Sequence, residues 1–124
     1  GILWGYELAR ALGVRSIFAE RGSDGQFALR RGFYLRPNDR VLLAEDVVTT
    51  GKSVMETVPL VADAGAFVAG FCAVADRSRG AFQPSVPFHA LVKLEFETWA
   101  EDQLPDWLAT IPVTKPGSRP ESAS

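Results

Sequence analysis

Residues 41–44, Val-Leu-Leu-Ala, are four apolar side chains in a row with no polar position among them. A strand with one wet face alternates polar and apolar residues. An unbroken apolar run is expected of a strand covered on both faces, as in a parallel sheet with helices on either side. A second such run lies at residues 67–75. Between them, Val54, Met55, Val58, Val61 and Ala62 share one face of a helix over residues 52–64. Two buried strands joined by a helix imply parallel pairing and an α/β architecture.

The rest of the chain is consistent with that plan. Residues 1–12 have helical spacing, and Gly13 is a natural stop. Residues 15–19 read as a short strand, 22–25 as a turn and 26–33 as the returning arm of a hairpin. Residues 37–39 form another turn, and a loop is expected from Glu45 to Gly51. Pro59 removes one backbone hydrogen bond inside the 52–64 helix and should kink it; Gly65 closes it. A third strand is expected at 88–96 and a short helix at 102–109. Residues 114–124 carry no large apolar group and are expected to be a mobile tail.

Composition narrows the function classes. A length of 124 residues suits one domain. The 47% hydrophobic and 23% charged fractions are those of a folded chain. The net charge of -2 argues against a nucleic-acid-binding domain. The lone cysteine, Cys72, forms no internal pair, as expected of a cytoplasmic, reducing setting. No apolar run approaches the ~20 residues that cross a bilayer, so no membrane role is expected. The start, Gly1-Ile2-Leu3-Trp4, has no initiator methionine and no basic leader segment. It reads as a chain entered partway through a fold.

In α/β sheets, ligands sit beyond the carboxyl ends of the strands. The run after Ala44 is Glu45-Asp46-Val47-Val48-Thr49-Thr50-Gly51-Lys52-Ser53. Two carboxylates are followed by hydroxyls and a glycine at a helix start, where free N–H groups and a positive dipole end favour phosphate. Carboxylates beside a phosphate site need hydroxyls or a cation to face. A sugar phosphate supplies the first and Mg²⁺ the second. The Gly51-Lys52-Ser53 triplet also matches the end of an ATP-binding P-loop. That pattern requires glycine at position 46, where Asp46 would repel a nucleotide phosphate.

The 41–53 segment resembles the PRPP-binding signature of type I phosphoribosyltransferases. Phe18-Ala19-Glu20-Arg21, Leu29-Arg30-Arg31-Gly32-Phe33 and Asp76-Arg77-Ser78 flank it as in bacterial orotate phosphoribosyltransferases. Ile111-Pro112-Val113 and Pro116-Gly117-Ser118-Arg119 extend the resemblance to nearly the whole chain. It implies the type I phosphoribosyltransferase fold, a mostly parallel sheet flanked by helices with its N-terminal part missing. Residues 1–113 would form the catalytic domain, incomplete at its N-terminus, ahead of the 114–124 tail.

The implied activity is transfer of ribose 5-phosphate from PRPP to orotate, giving orotidine 5'-phosphate and pyrophosphate in de novo UMP synthesis. Glu45 and Asp46 would hold the ribose hydroxyls and stabilise the oxocarbenium-like transition state. Val47, Val48, Thr49, Thr50, Gly51, Lys52 and Ser53 would wrap the 5'-phosphate. Thr49 and Arg77 match positions that contact orotate, and a guanidinium suits its carboxylate. Mg²⁺ would be held mainly through PRPP, with no direct protein ligand. Family members form homodimers, and many close a loop bearing Lys and His over pyrophosphate. The matching stretch, residues 20–26, carries Arg21 as its one cation.

Family members extend beyond Gly1 with a pyrophosphate-binding turn, a first strand and a hood over orotate. The chain alone is therefore expected not to turn over orotate. Two alternatives share the cradle. One is a purine-salvage phosphoribosyltransferase with a different base pocket; the other is a non-catalytic regulator that senses PRPP or nucleotides. Several residues have plainer readings: Arg30 and Arg31 as solvent-facing, Cys72 as core, His89 as structural, and Trp4, Trp99 and Trp107 as packing groups.

Overall fold

The computed structural model describes residues 1–97 and 99–112. The expectation for residues 114–124 and the motif blocks from Val113 onward lie outside them. Helix α1, Ile2–Leu12, ends where Gly13 adopts φ 66° and caps the carbonyls of Ala9 and Arg10. A left-handed residue there suits glycine, which has no Cβ to clash. Strands β1, Ala19–Arg21, and β2, Phe27–Leu29, pair antiparallel as a small separate hairpin. The main sheet is β3, Arg40–Val48, beside β4, Phe67–Asp76, beside β5, Phe88–Lys93. All its pairings are parallel, in the order β3-β4-β5.

Several expected boundaries are corrected. The first strand forms at 19–21, not 15–19. Arg15 is engaged instead by the Tyr34 ring, 4.9 Å away, and by Asp39 at 3.3 Å. The hairpin arm expected at 26–33 ends at Leu29, because β1 offers Ala19 as its last partner. The helix expected over 52–64 is two short helices, α2, Lys52–Met55, and α3, Val58–Asp63. Pro59 breaks the helix outright and takes a first-turn position of α3, where its absent N–H costs nothing. The third strand stops at Lys93, since β4 ends at Asp76 and offers no partner beyond it. The expected 102–109 helix is a 3-10 turn, Glu101–Gln103, and a separate helix α4, Asp106–Ala109, divided by Pro105.

The strand expected at 41–44 runs on to Val48. The acidic pair is therefore part of β3, and the loop is only residues 49–51. Nor is this strand covered on both faces, for Leu42 is 42% exposed. Among the described residues, the core gathers Val48, Val54, Phe71, Ala73 and Phe82. Leu43, Val58, Val68, Val86, Phe88 and Ala90 pack around it. Cys72, read as core, is half-buried, with burial raising its thiol pKa.

The carboxyl edge of the sheet is fixed by Asp76, 8% exposed at the end of β4. Its carboxylate accepts the Ser78 N–H at 2.8 Å. Hydrogen bonding from Ser78, hydroxyl first and N–H second, holds it below the ordinary carboxylate range, with Lys93 adding charge attraction. A depressed folded pKa gives stability present above the unfolded value of about 3.9 and lost as pH falls through the folded value. Asp76→Asn is expected to cost about 1–2 kcal/mol near neutral pH. That gap should close in acid below the carboxylate range, as urea unfolding at the two pH values would record.

Candidate active site

The three parallel strands end together at one edge. The Arg77 N–H donates to the Val48 carbonyl at 2.8 Å, and the Leu94 N–H to the Asp76 carbonyl at 2.8 Å. Beyond this edge lies a cleft of about 720 Å³, lined by Arg21, Gly22, Glu45, residues 47–54 and Glu56. Its floor is the loop between β3 and α2. Val48 and Val54, both buried, pin the loop's two ends in the core. Between them Thr49, Thr50, Lys52 and Ser53 are exposed.

Gly51 forms the tightest point of the loop, at φ 76° and ψ -1°. Its carbonyl accepts the Met55 N–H at 2.9 Å, which starts α2. The Thr50 hydroxyl accepts the Lys52 N–H at 3.3 Å. Among the described residues, no hydrogen bond within the chain takes the N–H of Thr50 or Gly51. Those donors and the hydroxyls are groups that could hold an anion. Because α2 is a single turn, the long-helix dipole expected behind the cradle is absent, and the cradle rests on local N–H and hydroxyl donors.

Beneath the loop sits Phe82, from the connection between β4 and β5. A Cβ built on Gly51 would fall 2.0 Å from its ring. Phe82 is itself gripped edge-on by Phe71 and Phe88, with ring centroids 5.4 and 5.0 Å away. Sequence reading passed over it, although a lone aromatic among Gly80, Gln83 and Pro84 was a usable signal.

The two carboxylates behave differently. Successive strand side chains alternate faces. Accordingly Glu45 lines the cleft, whereas Asp46 does not and is 62% exposed. The Asp46 N–H donates to Glu45 Oε1 at 3.0 Å, and Asp46 accepts the Val47 N–H at 2.8 Å. Burial pushes the Glu45 pKa up, and its neighbour Asp46 adds to the rise. Burial also pushes at Asp46, while hydrogen bonding from the Val47 N–H favours its charged form.

Arg21 reaches the cleft from the hairpin, with its guanidinium 4.2 Å from the Phe27 ring centroid. Thr49 lines the cleft as well. Arg77 starts at the same edge, but its exposed side chain lies over Phe96, 5.1 Å from the ring centroid, and does not line the cleft. Of the residues singled out in sequence, the structure therefore gathers Arg21, Glu45, Val47, Val48, Thr49, Thr50, Gly51, Lys52 and Ser53 in one place. It leaves the Asp46 and Arg77 side chains beside it. Glu56 also lines the cleft and was not singled out; one turn beyond Lys52, it looks like any solvated helix residue.

Among the described residues, no group of three or more His, Cys, Asp or Glu side chains comes together. Mg²⁺ commonly uses one or two carboxylates together with substrate phosphates. Glu45 beside the 47–53 loop is compatible with such an ion held mainly through the phosphates of a ligand.

Arg31 adopts φ 58°, a conformation that few non-glycine residues take, and its guanidinium pairs with Glu20 at 2.7 Å. That contact ties the turn after β2 back to β1. It belongs to the hairpin and not to the cleft.

No protein-family model matches the chain. Its sequence is 50% identical over 119 residues to orotate phosphoribosyltransferases of Erythrobacter litoralis and Novosphingobium aromaticivorans, covering 96% of this chain and 61% of each relative. The enzyme of that name from Caldanaerobacter subterraneus is 47% identical over the same share of the chain. The chain thus spans about 61% of the length of the curated relatives it matches. Among solved structures, adenine phosphoribosyltransferase from Leishmania tarentolae superimposes with a TM-score of 0.60 at 20% identity, covering 75% of this chain and 57% of that one. The Thermoanaerobacter pseudethanolicus protein of that name gives 0.60 at 18%, covering 76% and 64%. At such identities the likeness speaks for the fold alone. The chain has the type I phosphoribosyltransferase fold and is a homologue of the bacterial orotate phosphoribosyltransferases.

Proposed function

We propose that the protein is an orotate phosphoribosyltransferase. A ring nitrogen of orotate attacks the anomeric carbon of PRPP and gives up its proton to solvent, the bond from that carbon to the pyrophosphate oxygen breaks, and pyrophosphate leaves. The observation that carries this reading is a single cleft at the carboxyl edge of a parallel sheet, holding both Glu45 and the 47–53 cradle. The names of relatives at 46–50% identity favour orotate as acceptor over a purine.

In this reading the 47–53 loop holds the 5'-phosphate through backbone N–H groups and the Thr and Ser hydroxyls. Glu45 and Asp46 take the ribose hydroxyls, and their charge stabilises the positive charge that develops on the ribose as the bond breaks. Arg21 meets the pyrophosphate end. Mg²⁺, when bound through PRPP and near Glu45, neutralises phosphate charge. Thr49 and Arg77 select orotate, with the guanidinium pairing its carboxylate. The protein acts in the cytoplasm as a homodimer on small molecules, without nucleic acid or membrane. The 1–113 segment is a portion of its catalytic domain.

Arg77 supplies the test of base choice. Arg77→Ala in the intact protein is expected to raise the orotate requirement about tenfold to a hundredfold, the worth of a charge-assisted pair. PRPP binding should stay nearly unchanged. Arg77→Lys should recover only part, because an ammonium cannot reproduce the fork. Orotate saturation at fixed PRPP, beside direct PRPP titration, decides the matter. Unchanged orotate kinetics would leave Arg77 as a surface residue stacked on Phe96. An equal collapse of PRPP binding would make it a support of the loop.

A further inference from the structure

We propose that Glu56 is a positioning residue that holds the Arg21 guanidinium at the mouth of the cleft, facing the diphosphate end of the bound PRPP. This rests on the reading of Arg21 as a PRPP contact. Glu56 lies in the break between α2 and α3, and Arg21 at the end of β1. No ladder or helix joins these two elements. Arg21 Nη2 meets Glu56 Oε2 at 2.6 Å, and Arg21 Nη1 donates to the Gly25 carbonyl at 2.5 Å. The Phe27 ring lies against the guanidinium plane. Three partners thus fix the orientation of one cation.

Both side chains line the large cleft, and both also line the adjoining smaller one of about 340 Å³ beside Phe27 and Pro59. They are 39% and 34% exposed. A pair so open to water adds little to stability. What it does is locate a flexible, always-charged side chain at a defined point of the rim. Arginine keeps further N–H donors for a ligand while one nitrogen is held by Glu56 and another by Gly25. An ordered guanidinium loses less freedom when phosphate arrives, so PRPP binding gains.

The test is a double-mutant cycle on the intact protein, with steady-state kinetics in PRPP and orotate, PRPP titration and thermal unfolding. Glu56→Gln is expected to raise the PRPP requirement about three- to fivefold, the scale of one exposed ion pair. Turnover and the orotate requirement should stay within about twofold, and the unfolding temperature should hold. Glu56→Asp keeps the charge and should recover part of the loss. In an Arg21→Ala background, Glu56→Gln should add nothing further, because its effect passes through Arg21. An equal loss in both backgrounds would overturn the inference. So would tighter PRPP binding by Glu56→Gln, or no change from it where Arg21→Ala weakens PRPP. If Arg21→Ala itself leaves PRPP use untouched, Arg21 leaves the site and the role of Glu56 falls with it. The orotate reading would still stand on the cradle.

Discussion

Gly51→Ala is expected to destabilise the protein by about 2–5 kcal/mol and to lower its unfolding temperature by roughly 10 °C or more. Two costs add. Gly51 sits at φ 76°, where a Cβ meets its own backbone, worth about 1–2 kcal/mol. The new methyl would also lie 2.0 Å from Phe82 Cδ2 and 2.4 Å from Cε2. Phe82 cannot swing away, because Phe71 and Phe88 hold it edge-on within the core. Overpacking of this kind typically costs about 1–3 kcal/mol. Gly32 offers the control: its φ is also 76°, yet nothing lies within 4 Å of its Cβ position. Gly32→Ala should show only the conformational part. Thermal unfolding of the two variants separates the terms, and an equally mild Gly51→Ala would mean that Phe82 does not support the cradle.

The residues of the candidate site were more legible in the sequence than the ends of the elements that carry them. The acidic pair, the Thr-Thr-Gly loop and the hydroxyls are contiguous, so their placement at one sheet edge follows from a single strand of the parallel sheet. Arg21 is distant in sequence, and only its block resemblance brought it in. Glu56 was invisible because its partner lies 35 residues away, and nothing local distinguishes it from a solvated helix residue. Phe82 was missed for a related reason: its packing under Gly51 depends on how the β4–β5 connection folds back. Elements failed at their ends. Propensity cannot say where a ladder partner runs out, which is why β3 gained Glu45 to Val48 and β5 lost Leu94 to Phe96. Pro59 was read as a kink in one helix when the same missing donor also suits the start of a second. Alternation along β3 has the largest functional consequence, because two adjacent carboxylates that look equivalent in sequence have different surroundings.

The carboxylates carry the central chemical claim. Glu45→Gln and Asp46→Asn each keep the side chain's size and remove one negative charge near the developing oxocarbenium ion. Loss of one preorganised electrostatic group commonly costs on the order of a hundredfold in rate. Glu45 acts from the wall of the cleft, and Asp46 from beside it, with its carboxylate oriented by the Val47 N–H. Neither change should matter much to folding, since Asp46 is largely exposed and Glu45 only half-buried. The direct measurement is formation of orotidine 5'-phosphate and pyrophosphate from PRPP, Mg²⁺ and orotate by the intact protein and the two variants, with adenine as the competing acceptor. Turnover with orotate, none with adenine, and a loss of about a hundredfold in each variant are expected. Turnover with adenine in place of orotate, or full activity in both variants, would contradict the proposed function.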